Sequence, residues 1–401
     1  MRGSPKALFL THTAPLPLVS GERIRTFHLM RELDRQGWDV SLFSLLHSVP
    51  LGTGDEELLG ALCDDVLLVP FQADKSHRYM RLARAMATGH AFQETYFYSS
   101  GAAQRLRAEL PVDDFDALVP VTLYMYPYVP TRLHHRTALD TLNVDARRIE
   151  AMAKALARKP RGLVARAQLP AVRRFEAAAA TSVARVIAVS PEEQRAFDDL
   201  APGRVDLVPN GVDCDALRAR ETLPAEPSLL FVGSMDYGAN VDAVEHLVDE
   251  VLPLLEHRET AVTIVGSNPP RSLAQTVARS QLPIDLAGFV PETGPFFERS
   301  RLFVVPLRFG GGTRLKILEA LARGAPVVTT SIGCEGLDLV HERDVIIADH
   351  PSELASWIDR LLDDDDLCRS LARQGRATVE EHYDWRRIGT ELARSLEMVA
   401  S

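Results

Sequence analysis

The feature that most constrains this chain is an alternation of short apolar runs with amphipathic helical patterns, and it occurs in both halves. Near the start, ALFLT (Ala7 to Thr11) has the length of a buried strand, and a Pro-rich loop follows it. A helical pattern then runs from about Glu22 to Gln36, with Ile24, Phe27, Met30 and Leu33 on one face. Gly37 stands where a helix C′ residue stands, and WDVSLFS reads as the next strand. The order returns with SLLFVG (Ser228 to Gly233), Asn240 as an N-cap, a helix over Val241 to Leu255 and the strand AVTIVG. It returns again with RLFVVPL, a glycine-rich loop, a helix from about Thr313 to Arg323, Gly324 as its stop, and the strand PVVTT. Such alternation calls for parallel sheets with right-handed crossovers, hence the α/β class.

At 401 residues the chain exceeds what one core usually organises. Two Rossmann-like domains are expected, at about 1–210 and 211–380, meeting near VPNGVD (Val208 to Asp213) and the looser ETLPAEPS. The remaining segment, 381–401, carries Ile388, Leu392 and Leu396 at helical spacing, a face that must pack on something.

A net charge of −10 argues against a nucleic-acid partner, which needs a basic surface to gain from counterion release. Locally the balance reverses: Arg147 to Arg174 holds nine Arg or Lys and one acidic residue, Glu150. That stretch reads either as a solvated helical face or as a docking surface for the inner membrane leaflet. No apolar run is long enough to span a bilayer, and the amino terminus lacks a signal-peptide pattern, so a cytoplasmic protein is expected. Cys63, Cys214, Cys334 and Cys368 form no CxxC pair, and neither a metal cluster nor a disulfide framework is indicated.

In open parallel sheets, ligands bind beyond the carboxyl ends of the strands, where helix N-termini present free N–H groups. The glycines of FGGGTRLKILEALARGAPVV, Gly310 to Gly312, offer an anion-binding nest at such a place. Arg314 and Lys316 fall in the first turn of the helix behind it, where positive charge opposes the macrodipole unless an anion is shared. Glu319 lies one turn on, within reach of a hydroxyl-bearing group. The other reading is a glycine turn before an ordinary surface helix with an i,i+3 Lys/Glu pair.

The run GGGTRLKILEALARGAPVVTTSIGCEGL, from Gly310, resembles the donor-site signature of retaining, nucleotide-sugar-dependent glycosyltransferases of the GT-B fold, the group 1 or family-four class. VIAVSPEE at Val186, VPNGVD at Val208, FVGSMDYGANVDAV at Phe231 and LAGFV at Leu286 extend the resemblance over most of 186–345. It implies two Rossmann-like domains facing across a cleft, with the terminal helix crossing back to the first. It also implies a nucleoside-diphosphate-sugar donor, a glycan, lipid-linked or small-molecule acceptor, retention of anomeric configuration, and no bound metal or other cofactor. Glu319 corresponds to the residue that binds the nucleotide ribose, and Gly288, Phe289 and Val290 to the turn that meets the base. Gly233, Ser234, Gly311, Gly312 and Thr313 complete the expected donor contacts.

Two departures stand out. Many members carry a sugar-contacting Glu eight residues before Glu319, where this chain has Gly311, and an Arg and a Lys after the first strand of the second domain, which GSMDYGANVDAV lacks. Arg314 and Lys316 are therefore expected to stabilise the leaving diphosphate, helped by Arg23 or Arg25 just after Gly21; exposed charge on a surface helix is the other reading of that arginine pair. The family's His in the loop after a central strand is absent from Thr122 to Pro127. Tyr124 and Asp140 stand as further first-domain contacts, with packing and strand-end capping as their alternatives. A nucleotide-sugar 2-epimerase and a two-domain solute-binding protein share the architecture. A nicotinamide dehydrogenase does not fit, because HTAPLPLVSGERIR lacks GxGxxG.

Overall fold

A computed structural model describes residues 3–47, 50–72, 75–310 and 314–400. Gly311, Gly312 and Thr313 of the expected donor loop lie outside the described residues. The chain divides into two compact units, Met1–Pro209 with Trp385–Ser401, and Asn210–Asp384.

The first unit opens with β1 (Lys6–Thr11), α1 (Gly21–Arg35), β2 (Asp39–Leu46), α2 (Thr53–Leu62) and β3 (Val66–Pro70). Three helices follow, α3 (Lys75–Thr88), α4 (Phe92–Tyr96) and α5 (Ser100–Glu109), before β4 (Ala117–Pro120) and β5 (Ala138–Asp140). Then come α6 (Asp145–Ala155), α7 (Pro160–Ser182), β6 (Arg185–Ala188), α8 (Pro191–Asp198) and β7 (Val205–Leu207). Strand order is β3-β2-β1-β4 and β5-β6-β7, all parallel, and bridges at Leu118–Thr137 and Val121–Asp140 join the two runs. Alternate residues of β1 serve opposite faces: Ala7 and Phe9 pack with Leu29, Met30 and Leu33, whereas Leu8 and Leu10 pack with Phe43, Leu106 and Tyr128. A parallel sheet covered on both sides reads as a continuous apolar run for this reason.

The second unit contains β8 (Ser228–Val232), α9 (Gly238–His246), β9 (Ala261–Val265), α10 (Arg271–Ala278), β10 (Ile284–Gly288) and α11 (Gly294–Arg299). It continues through β11 (Leu302–Val305), α12 (Leu315–Ala322), β12 (Val327–Thr329), β13 (Ile346–Ile347), α13 (Pro351–Asp363) and α14 (Asp365–His382). Its parallel sheet runs β10-β9-β8-β11-β12-β13, so the strand order reverses direction at β8/β11, the place where such sheets bind ligands.

Helix α15 (Trp385–Ala400) belongs to the first unit, where Trp385, Ile388, Leu392, Leu396 and Val399 are all buried. Its apolar stripe lies along α1, and the Trp385 ring stacks on His28 with centroids 5.1 Å apart. That supplies the partner which the pattern of the last segment requires.

Three local expectations are corrected. Asn240 is not an N-cap: α9 starts at Gly238, and the side chain of Asn240 points instead to the main-chain oxygen of Ser234. The regular helix ends at His246, followed by a π turn over Leu247–Val251 and a 3-10 turn over Leu252–Leu254 that accommodates Pro253. Arg314 is likewise not inside the first turn of α12 but at its N-cap position.

Candidate functional site

At the carboxyl edge of the second sheet, β8 runs into Gly233 and Ser234. Lys316, from the first turn of α12, donates to Asn240 Oδ1 at 2.7 Å, and Asn240 Nδ2 donates to the Ser234 carbonyl at 2.7 Å. The ammonium sits 4.6 Å from the centre of the Phe231 ring. A Cβ added to Gly233 would lie 2.6 Å from Lys316 Nζ and 2.7 Å from Asn240 Nδ2, so only glycine leaves this cradle open. Part of the Lys316 side chain reaches solvent, but the protein crowds its ammonium. This desolvation, and then the like charge of Arg314, bring its pKa down to about 7. No carboxylate of the described residues forms an ion pair with it. Its polar partner among the described residues is a neutral amide, which leaves the charge of the ammonium unneutralised there.

Arg314 is placed differently. It is buried, donates to the Ile332 carbonyl through Nε and Nη2 at 3.3 Å each, and lies 4.0 Å from Glu335. Its guanidinium also abuts Gly310, whose φ of +139° favours glycine. Glu319 accepts from Thr293 Oγ1 and from Arg323 Nε at 3.1 Å, which fixes the carboxylate while leaving acceptor capacity. At the end of β10, Gly288 takes a φ of +68° and its carbonyl accepts from the Gly266 amide at 2.9 Å. Phe289 is 74% exposed, and Val290 packs against the core of the unit. Ser234 Oγ lies 3.2 Å from both Asp236 Oδ2 and Ser267 Oγ, giving the strand ends a polar rim. The structure thus brings Gly233, Ser234 and Lys316 together around Asn240. Asn240 and Ser267 are the members that sequence reasoning missed; Asn240 was hidden by its plausibility as a cap.

In the first unit, most expected ligand contacts turn out to be internal contacts. Arg25 and Asp140 are buried and grip each other through two bonds of 2.9 Å, and Arg25 Nη1 donates to the Pro209 carbonyl at 2.9 Å. Neither side chain is presented to a ligand. Arg23 is buried too, donating to the Leu16 carbonyl at 2.6 Å and to Thr13 Oγ1 at 2.8 Å, which fastens the Pro-rich loop to α1. Gly21 is exposed at the start of α1.

Tyr124 sits beside two imidazoles that follow the neighbouring strands β1 and β2: the His12 ring is 5.3 Å away, and His47 lies 6.0 Å beyond it. His12 and His47 follow the carboxyl ends of β1 and β2. Burial, and then His12, lower the His47 pKa; burial, followed by Asp145, pushes the Tyr124 hydroxyl up to about 12. Next to them Thr122 holds a φ of +69°, an uncommon conformation for a β-branched residue.

Two parallel α/β units, with the Lys316–Asn240 pair at the carboxyl edge of the second sheet, define a GT-B type of protein. Residues 226–364 match the model of the family described as glycosyl transferases group 1, and residues 19–216 that of glycosyltransferase family 4. The chain belongs to this group of glycosyltransferases. It is 29% identical over 212 residues to the glycogen synthase of Mycobacterium tuberculosis, spanning 47% of each chain, so it matches about half the length of that relative. It is 25% identical to the MMP alpha-(1->4)-mannosyltransferase of Mycolicibacterium hassiacum over 92% of this chain and 93% of the other. The sucrose-phosphate synthase of Thermosynechococcus elongatus shares the fold with a TM-score of 0.69 at 18% identity, covering 98% of both chains.

Proposed function

We propose that this protein transfers a sugar from a nucleoside-diphosphate-sugar donor to a glycan, lipid-linked or small-molecule acceptor, in the cytoplasm and with retention of anomeric configuration. The observation that carries this reading is the Lys316 ammonium held over Phe231 by Asn240, beside a glycine that leaves it approachable. Charge grows on the diphosphate as the glycosidic bond loosens, and a preorganised cation in a desolvated place stabilises that charge more than it stabilises the ground state. Lys316 takes this role without a bound cation. Arg314 packs beside Gly310, Glu319 offers its free lone pairs to ribose hydroxyls, and the Gly288–Val290 turn meets the base.

Two measurements test the proposal. Addition of UDP, GDP or dTDP raises the melting temperature, since a ligand at 100 times its Kd adds about 2.7 kcal/mol to the folded state. Incubation with the matching nucleotide sugar releases nucleoside diphosphate only when an acceptor is present. Release without acceptor, with epimerised product, assigns the chain to the 2-epimerases. Ligand binding without any turnover assigns it to the solute binders.

A further inference from the structure

The carboxyl edge of the first sheet gathers polar atoms that the donor chemistry does not use. Thr11 ends β1, His12 and His47 follow β1 and β2, and Thr122 lies just past β4. The backbone brings them together, because β1 pairs with both β2 and β4 and the Val121 amide donates to the Leu10 carbonyl at 2.9 Å. Glu22, in the first turn of α1, sets Oε1 3.0 Å from His12 Nδ1. The Phe97 ring packs against both imidazoles, with centroids 4.5 Å from His12 and 5.0 Å from His47.

Thr11 Oγ1, His12 Nδ1, Glu22 Oε1, His47 Nε2 and Thr122 Oγ1 are buried atoms without an aligned hydrogen-bond partner among the described residues; the His12–Glu22 contact is close but not aligned as a hydrogen bond. The two threonines are 1% and 8% exposed, whereas His12 and Glu22 keep 13% and 23% of their side chains in solvent, so the group is reachable from outside. Unpaired polar atoms collected in one buried place call for a ligand or ordered water.

The charges decide which ligand. Arg23, next to Glu22 in α1, spends Nη1 and Nη2 on the Leu16 carbonyl and Thr13 Oγ1, and the charge of Glu22 stands against its own. Arg148, which reaches the Tyr124 hydroxyl, is paired with Asp145 at 2.6 Å. Burial, then the His12 ring, lowers the His47 pKa and leaves that imidazole uncharged at neutral pH. A phosphate or carboxylate would find these cations already engaged and would meet Glu22. A sugar hydroxyl both donates and accepts, so one ring of hydroxyls can satisfy imidazole, threonine and carboxylate together.

We propose that this group is the subsite for an uncharged sugar ring of the acceptor, and that Glu22 is its specificity-determining residue, turning away rings that carry a phosphate or a carboxylate. That the bound sugar is an acceptor rests on the glycosyltransferase reading, whereas the preference for an uncharged ring does not.

The test is a titration of the full chain, isotope-labelled in its histidine rings, with methyl α-glucoside, methyl α-mannoside and methyl α-galactoside, and with the corresponding methyl uronides, in which a carboxylate replaces the primary alcohol. At least one glycoside moves the imidazole resonances of His12 and His47, and its uronide binds about tenfold or more weakly. Thr122→Ala with His47→Leu weakens glycoside binding by about tenfold, as expected for lost hydrogen bonds, and leaves the UDP-, GDP- or dTDP-induced melting shift unchanged. Glu22→Gln removes the repulsion and brings the uronide to within about threefold of its glycoside. No response to any glycoside overturns the proposal and leaves ordered water as the occupant. So does uronide binding as tight as that of the glycoside in the parent, parent-like glycoside binding by the double variant, or an unchanged preference in Glu22→Gln. The nucleotide shift, read on the same preparation, reports on the donor site separately, so failure of one reading leaves the other intact.

Discussion

Lys316 and Asn240 lie 76 residues apart and meet through a 2.7 Å bond from ammonium to amide oxygen. Asn240 uses its other end to hold the Ser234 carbonyl, so one side chain orients both the cation and the loop at the end of β8. The pair is assembled from two helices, α9 and α12. A neutral partner matters here, because a carboxylate in its place would compete with the diphosphate for the same charge.

Loss of that cation should show in catalysis. Lys316→Ala is expected to lower kcat/KM by about ten- to a hundredfold, the value of a charge-assisted contact of roughly 1.5 to 3 kcal/mol. Asn240→Ala leaves the charge but frees its position, so it lowers kcat/KM by less than Lys316→Ala does. Steady-state kinetics with the true donor distinguish the two. Unchanged kinetics in Lys316→Ala remove the residue from the reaction.

The same lysine sets a pH dependence for nucleotide binding. With a pKa near 7 in the free protein, Lys316 is charged below that value and progressively neutral above it. A bound diphosphate favours the charged form and raises the pKa, so affinity is greatest below pH 7 and falls as the pH rises above it. The limit is about tenfold per pH unit, corresponding to uptake of about one proton per nucleotide. Calorimetry of UDP binding in buffers of different ionisation enthalpy measures that uptake. Lys316→Arg keeps the charge at all these pH values and should abolish the dependence.

Glu176 provides a test in the first unit. It is buried, accepting from the Ala146 amide at 3.3 Å, and burial, followed by the charge of Asp145, raises its pKa to about 7 from 4.5. Between those values the folded state holds more protons than the unfolded state, so stability from this group falls as the pH rises through the window. Glu176→Gln keeps an acceptor oxygen without the charge. It should melt higher than the parent at pH values above the window and show a flatter melting curve across it.

The buried pair of Arg25 and Asp140 carries a stability prediction. Removing one partner leaves an uncompensated charge in the interior, which costs about 3 to 5 kcal/mol. Arg25→Met should therefore destabilise the protein strongly to urea, and Asp140→Leu in the same chain should recover much of the loss. If Arg25 instead served a ligand, Arg25→Met would alter substrate affinity and barely move the unfolding midpoint.

Arg25 and Asp140 also show where the sequence stopped being legible. Each reads as a ligand contact, with exposed surface charge and strand-end capping as the alternatives; they lie 115 residues apart, and no periodicity reveals that two distant charges satisfy each other. His12 stood out at the end of the first strand as a structural or catalytic residue; what the sequence did not show is that His47, at the end of the next strand, lies beside it. Local signals fared better. Gly37 and Gly324 take φ of +82° and +66° at helix ends, as the C′ position demands, and the apolar runs became strands because both sheet faces are covered. Helix α12 was readable from the block LKILEALA and the glycine that stops it, whereas the partner of Lys316 depended on a tertiary meeting.

Helix α15 offers the most local of the tests. Its stripe was visible in the spacing of Ile388, Leu392 and Leu396, but its contact with α1 depends on a position without a side chain. A Cβ built on Gly389 would stand 2.3 Å from the Glu32 Cβ, and Glu32 is itself buried and held by Arg31 and Arg35 at 2.9 Å each. The obstacle is the base of a fixed side chain, so α15 must shift away from α1 to admit even a methyl group. Gly389→Ala gains helix propensity worth up to about 1 kcal/mol. Overpacking of this severity costs about 1 to 3 kcal/mol or more. The net expectation is destabilisation, read as a lower melting temperature, with Gly389→Ser behaving similarly. A Gly389→Ala protein as stable as the parent would mean that the helix approaches α1 less closely than the structure has it.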